Sequence, residues 1–225
     1  QLLMTLAQVP AIRERDVRAC NQFLKILLKQ NPCYASISIA TPDGKVFASA
    51  PSIQPFSIAE RKYFKDVLTR KEFSVGEYVL SHSAGRPVLH FAYPVLDERN
   101  RLMGIITAAF DLSYYGQSFA TAKLPEGSAL ALTDSGGIRL YRHPDFEKYA
   151  GLKDLPEMIT RMTSEEREGS FFAPGVDGKR RLYGFKRMYL TWQEKPDLFI
   201  RVGVSEAVVL SEANRNITRN IGILG

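Results

Sequence analysis

Residues 35–50 read ASISIATPDGKVFASA, and residues 128–143 read SALALTDSGGIRLYRH. Each is an alternating apolar run, a turn built on Asp-Gly or Asp-Ser-Gly-Gly, and a second alternating run. Side chains of a strand alternate between faces, and Asp-Gly supplies the positive φ that a tight turn needs, so each stretch reads as a β-hairpin. Each hairpin is followed by a helix-like stretch and then by further strand-like runs. A repeat on this scale outweighs local features. It predicts two similar α+β modules in tandem rather than one domain with an appendage.

Upstream of the first hairpin, Val17, Cys20, Leu24, Leu27 and Leu28 recur at helical spacing and predict a helix over 11–30 with one apolar stripe. Asn31-Pro32 stops it, and residues 1–9 either extend it or break from it at Pro10. Downstream, Ser57 and Glu60 have the spacing of a capping box, which predicts a helix starting just after Ser57 and carrying Arg61, Tyr63, Phe64, Val67 and Leu68. Strands are predicted at 73–80, 87–95 and 102–111. This order suggests a curved antiparallel sheet of five or six strands with helices on one face. The second module repeats it in shorter form: a hairpin at 128–142, a helix at 155–163, and strands at 169–173, 180–189 and 197–204. Glu206–Asn220 read as a terminal helix. The domain reading is therefore an N-terminal helix (1–32), a first module (33–122), a second module (123–205) and a C-terminal helix (206–225).

The chain of 225 residues is 45% hydrophobic and 24% charged, ordinary for a globular protein. Its net charge of +6 is scattered, which argues against nucleic acid as a partner. The densest basic group, Lys179-Arg180-Arg181, follows Val176-Asp177-Gly178 and reads as a solvated turn flank. Cys20 and Cys33 are separated by most of a helix and are expected as two free, mostly buried thiols, because about 15 Å of helix exceeds disulfide reach. No run reaches the length of a membrane span. The closing Ile221-Gly222-Ile223-Leu224-Gly225 fits either a segment approaching a membrane or an ordinary helix end.

The catalytic inventory is thin. His82, His90 and His143 form no metal-ligand spacing, and there is no phosphate loop or nucleophile elbow. Asp43 and Asp134, at like positions in the two repeats, read as turn residues. No cofactor and no enzymatic activity are expected. What remains is a candidate pocket in the first module: Arg61, Tyr63 and Phe64 on one helical turn, Tyr78, Ser81, His82, Phe91 and Tyr93 on the neighbouring strands, and Asp111 at the end of a long apolar run. A guanidinium suits a carboxylate, a carboxylate suits an ammonium or hydroxyl, and aromatic rings wall off an apolar body. Each residue also has a plainer reading: Arg61 as a surface residue, Tyr63 and Phe64 as core, Ser81 and His82 as strand-end residues, Asp111 as the cap of a helix starting at Leu112.

Several of these motifs, in this order, resemble the double Cache sensor domain of bacterial and archaeal membrane receptors. Glu60-Arg61-Lys62-Tyr63-Phe64 is similar to the family's Arg-x-aromatic-aromatic helix, and Ser81-His82-Ser83-Ala84-Gly85-Arg86-Pro87 to its hairpin. Tyr93-Pro94-Val95, Gly104-Ile105-Ile106 and Phe110-Asp111-Leu112 match the pattern that follows. Asp134-Ser135-Gly136-Gly137 and Gly175-Val176-Asp177-Gly178 resemble the turns of the membrane-proximal module. The resemblance implies PAS-like modules and an extracytoplasmic (periplasmic) sensor held between flanking transmembrane helices, with a sensor histidine kinase as the leading output and a diguanylate cyclase or chemoreceptor as others. It implies a small carboxylate or amino acid bound by the distal module, where Arg61, Tyr63, Phe64 and Asp111 match the amino-acid-binding branch. Tyr-Phe stands where that branch has Trp-Tyr, and Tyr78 sits about one residue off. A homodimer through the first helix is a further expectation. The competing reading is a structural or protein-interaction module without a small-molecule ligand.

Overall fold

The computed structural model describes residues 1–51, 56–81, 86–114, 116, 123–164, 167–191 and 194–211. The chain divides into two units, Gln1–Tyr115 and Gly116–Gly225.

The first unit opens with three helical pieces where one long helix was expected: α1 (Leu2–Leu6), α2 (Pro10–Arg13) and α3 (Val17–Gln30). The interruption has a local cause. Asp16 takes an extended conformation and its Oδ1 accepts from the Ala19 amide at 2.9 Å, capping α3. Arg15 turns left-handed at φ 59° to allow it. Two arginines then fasten the break to strand carbonyls: Arg13 Nη2 donates to Leu96 O at 3.1 Å and Arg15 Nη2 to Met103 O at 2.8 Å. Cys20 and Leu24 of the predicted stripe are buried, Leu27 and Leu28 half-buried, but Val17 is 48% exposed because it now starts a helix instead of continuing one. Both cysteines are free; Cys20 is buried and Cys33 half-buried.

Five antiparallel strands follow: β1 (Tyr34–Ala40), β2 (Val46–Ala50), β3 (Ser74–Leu80), β4 (Pro87–Leu96) and β5 (Leu102–Asp111), in the sheet order β2-β1-β5-β4-β3. The long apolar run that ends at Asp111 is the central strand, buried on both faces, as its sequence requires. Pleat alternation sorts the side chains. Ile37, Ile39, Ala48, Val95, Ile106 and Ala108 face the N-terminal helices. Ala40, Val46, Ala92 and Ile105 face the other way, under α4 (Lys62–Arg70). Helices therefore cover both faces of this sheet, not one.

α4 starts later than the capping-box spacing predicts. Arg61 is its N-cap and makes no side-chain cap bond. Ser57 forms a β-bridge with Lys45, and the Ile58 amide donates to Gly44 O at 2.9 Å. This pairing holds Ser57 and Ile58 in strand-like geometry and prevents a helix from beginning there. Gly44 permits it: a side chain at its φ of 86° would meet the backbone of Ala59 at 2.8 Å. The Ser57 hydroxyl accepts instead from the Ala59 amide, and Glu60 pairs with Lys65.

The second unit builds the same sheet: β6 (Ala129–Asp134), β7 (Arg139–His143), β8 (Glu168–Pro174), β9 (Arg180–Met188) and β10 (Leu198–Ser205), in the order β7-β6-β10-β9-β8. Short helices α5 (Phe146–Tyr149) and α6 (Pro156–Thr163) follow the hairpin. Residues 206–211 are helical; the rest of the expected C-terminal helix lies outside the described residues. The two hairpins match bond for bond. Gly44 N–H donates to Thr41 O and Gly137 N–H to Asp134 O, both glycines have positive φ, and both second strands end at a cis X–Pro bond. Asp134 is a turn residue, its Oδ1 accepting from the Gly136 and Ile138 amides at 2.9 and 2.8 Å.

Candidate functional site

The α4-side face of the first sheet carries the chemistry. Ser38 and Thr107 oppose each other across β1 and β5, with their hydroxyl oxygens 3.1 Å apart, both buried. The next row along pairs Ala109 with His90 of β4. Tyr63, in the first turn of α4, stacks on His90 with ring centroids 4.9 Å apart and planes 17° from parallel. Arg61 stands at the head of the same helix, and its charge reaches both rings. Burial, reinforced by Arg61, pulls the His90 imidazole down to about 4, so it is neutral near pH 7. Burial pushes the Tyr63 phenol up to about 12 against the opposing pull of Arg61, so it stays a neutral hydroxyl. Among the described residues, the Arg61 side chain forms no hydrogen bond or ion pair.

Two residues further along β5, on the same face, lies Asp111, paired with Val88. Its Oδ1 accepts from the Ser113 amide at 2.9 Å, the Tyr114 amide at 3.3 Å and the Ser113 hydroxyl. That is the helix-cap reading of this residue, realised at Leu112 where the strand turns into helix. Its Oδ2 accepts from Arg86 Nη1 at 3.1 Å. Burial raises the Asp111 carboxyl, but the Ser113 hydroxyl, Arg86 and the two amides outweigh it and hold the group below the usual carboxylate range.

Of the nine residues expected to line a pocket, Arg61, Tyr63 and Asp111 share this face. Phe64 is buried in the core beneath α4, against Val46, Ile58, Val67 and Ile105. Phe91 and Tyr93 are on the opposite face, packed against the N-terminal helices, because they alternate with His90 and Ala92 along β4. Phe91 stacks on Phe73 and meets Phe110 edge-on. Tyr78 pairs with Leu89 and so belongs to the Phe91 face, a register set by the bulge between Val75 and Tyr78. The Ser81 amide donates to Arg86 O at the end of the β3–β4 hairpin, and His82 lies outside the described residues. Ser38, Thr107, His90 and Arg86 are polar residues on this face that the sequence reading did not assign to the pocket, His90 having been weighed only as a metal ligand and Arg86 only as part of the hairpin motif. The signal was present: strict alternation along β4 and β5, counted back from Asp111, selects Ala109 and Thr107, and across the ladder His90.

The matching face of the second sheet is built differently. Gly137 O accepts from the Asp154 amide as Gly44 O accepts from Ile58, so Asp154 stands where the first module has Ile58. Arg139, opposite Thr133, stands where Val46 lies opposite Ala40. An apolar pair in one module is thus a buried ion pair in the other, with Arg139 Nη1 at 3.0 Å from Asp154 Oδ1. Arg201 takes the ladder position of Thr107; it pairs with the other oxygen of Asp154 and donates to Thr133 Oγ1 at 3.1 Å. Tyr183 takes the position of His90 and lies across Gly203, where an added Cβ would be 2.4 Å from its ring. Arg181, read from sequence as a solvated turn flank, is 1% exposed. Asp177 folds back from the turn onto its guanidinium with two bonds of 2.7 Å and also takes Arg142 at 2.8 Å. Large, mutually paired side chains occupy the surface that serines, threonine and alanine leave low in the first module. No group of three His, Cys, Asp or Glu among the described residues is placed to hold a metal ion.

The Cache domain family matches residues 1–211. No curated protein matches the sequence. Solved structures share the fold at low identity. The ligand-binding domain of the Pseudomonas aeruginosa amino acid chemoreceptor PctB, in complex with L-Arg, is 18% identical with a TM-score of 0.70, over 92% of this chain and 86% of that one. The ligand-binding domain of the Pseudomonas fluorescens chemoreceptor CtaA, in complex with L-isoleucine, is 16% identical with a TM-score of 0.68, over 94% and 85%. The sensor domain of the V. cholerae histidine kinase DctB is 16% identical with a TM-score of 0.59, over 89% and 84%.

Proposed function

We propose that this chain, which belongs to the Cache domain family, is the extracytoplasmic ligand-sensing domain of a transmembrane signalling protein, of the sensor histidine kinase type. In this reading the first module binds a small carboxylate or amino acid and the second relays the change, with transmembrane helices flanking the chain. The chain itself performs no catalysis. Solved sensor domains with this fold that bind amino acids support the ligand class. No described helix is long and apolar enough to cross a membrane.

The observation that carries the reading is Arg61. A guanidinium without an anionic partner among the described residues sits at a helix start, beside two rings kept neutral by burial. A ligand carboxylate would supply the missing charge, with the helix amides adding to the attraction. The Tyr63–His90 stack would wall the ligand, and the Ser38 and Thr107 hydroxyls would meet its polar atoms. Among the described residues, Arg139, Arg142, Arg181 and Arg201 on the matching face of the second module each already have a carboxylate, whereas Arg187 donates to Met162 O at 2.9 Å and leaves its Nη2 buried without a partner. Ligand binding shifts the signalling equilibrium by its differential affinity for two states and by no other means.

Calorimetry across a panel of small carboxylic and amino acids tests the proposal. Arg61→Ala is expected to weaken binding at least tenfold while the fold survives, since Arg61 makes no side-chain pair among the described residues. Retention of wild-type affinity by Arg61→Ala would remove the site assignment. The competing protein-interaction reading draws on one feature, a groove of about 410 Å³ on the outward face of the second sheet, around Gly184, Ile200 and Val202. A panel without a single binder would favour it.

A further inference from the structure

We infer that Arg86 is a specificity-determining residue: a tethered cation that occupies the acidic end of the site and biases the first module toward carboxylates that carry no ammonium group there. The inference rests on reading the α4-side face as the ligand site. Asp111 has two oxygens with different fates. Oδ1 is committed to the chain by three donors at the start of the helix that follows β5. Oδ2 is held by one N–H of Arg86.

The partners of that single bond are unequal. The Asp111 side chain is 4% exposed, whereas that of Arg86 is 64% exposed. Among the described residues, Asp111 is the only partner of the Arg86 guanidinium. An exposed arginine held by one contact is cheap to displace, because side-chain entropy and rehydration offset most of the bond it loses. The carboxylate it covers is expensive to leave bare, because it is out of water. Arg86 therefore serves as a stand-in charge. Asp111 lies two residues along β5 from Ala109, the partner of His90, or about 7 Å at strand rise. A small acid whose carboxylate lies by Arg61 and His90 would extend toward Oδ2. With an ammonium at that end it must evict Arg86. Without one it leaves the Arg86–Asp111 pair intact.

The test begins without any assumed ligand. Thermal unfolding of the whole chain is followed for wild type, Arg86→Ala and Arg86→Gln, titrated with ethylammonium chloride against sodium chloride at equal ionic strength. Both variants are expected to gain a saturable rise in Tm of a few degrees that wild type lacks, and adding Asp111→Asn is expected to abolish it. An identical response in wild type and variants would overturn the inference. The second arm compares propionate and L-alanine by calorimetry. Arg86→Ala is expected to tighten L-alanine roughly three- to tenfold and leave propionate unchanged. Equal shifts for both probes would reduce Arg86 to a general surface charge and overturn its role in specificity. Failure of Arg61→Ala to weaken the acids counts against the ligand site itself, whereas the ethylammonium response decides the role of Arg86.

Discussion

One step along β4 separates His90 from Phe91 and moves the side chain from the candidate site to the opposite core. Charge at this scale is set by burial. His90 protonates near 4 in the folded chain against 6.5 for an ordinary, solvated imidazole. Between those values the unfolded chain binds more protons, so stability falls as pH drops from about 6.5 to about 4 and is unaffected by this residue above that window. The full loss is on the order of 3 kcal/mol. Urea unfolding as a function of pH should show it, and His90→Gln should flatten that part of the profile. Asp154 makes a second case. It holds Arg139 and Arg201 in the interior, with Arg139 also donating to Tyr149 O at 3.1 Å. Burial draws Arg201 below the ordinary arginine value against the pull of Asp154. Asp154→Asn is expected to cost about 3–5 kcal/mol, because it leaves two buried cations short of a counter-charge. The first module holds Val46 and Ile58 at the positions of Arg139 and Asp154. The double variant Arg139→Val, Asp154→Ile should therefore be less destabilised than Asp154→Ile alone, a comparison that denaturant curves resolve directly.

Element boundaries were decided by single hydrogen bonds. The apolar spacing over 11–30 marks helical residues correctly but is silent about a break that preserves the stripe at Cys20 and Leu24. Asp16 creates that break by capping α3. Asp16→Ala should cost about 1 kcal/mol, read as a lower denaturation midpoint with an unchanged slope. At α4 the local signal was a capping box at Ser57 and Glu60, and the ladder bond between Ile58 and Gly44 overrode it. The outcome matters for the site, because it makes Arg61 the first residue of the helix approach and leaves the α4 N-terminus without a capping side chain. Strand positions fared better. The runs predicted at 87–95 and 102–111 correspond to Pro87–Leu96 and Leu102–Asp111, since alternation and apolar content are properties of the strand itself.

For the whole molecule, the proposed division of labour predicts where ligand-induced stabilisation falls. A saturating ligand should slow amide exchange most in α4, β4 and β5, within Gln1–Tyr115, and raise Tm by mass action; exchange measured by mass spectrometry that slows equally in both units would contradict it. The sequence by itself determined the tandem organisation, because two hairpins of like pattern, each followed by a helix and three strands, leave few other ways to bury their apolar faces. It also determined Asp134 as a turn residue and the long apolar strand that ends in Asp111. Tertiary structure alone decided which polar residues meet. Ser38 and Thr107 are 69 positions apart and touch only through ladder register. Arg181 left the solvent because Asp177 folded back onto it. Tyr78 joined the Phe91 face because a bulge shifted its pairing. Periodicity along one chain records which face a residue takes within its own strand, but register, bulges and the helix laid across the sheet decide what that face looks onto. They arise from long-range packing and hydrogen bonding, which no local window of sequence contains.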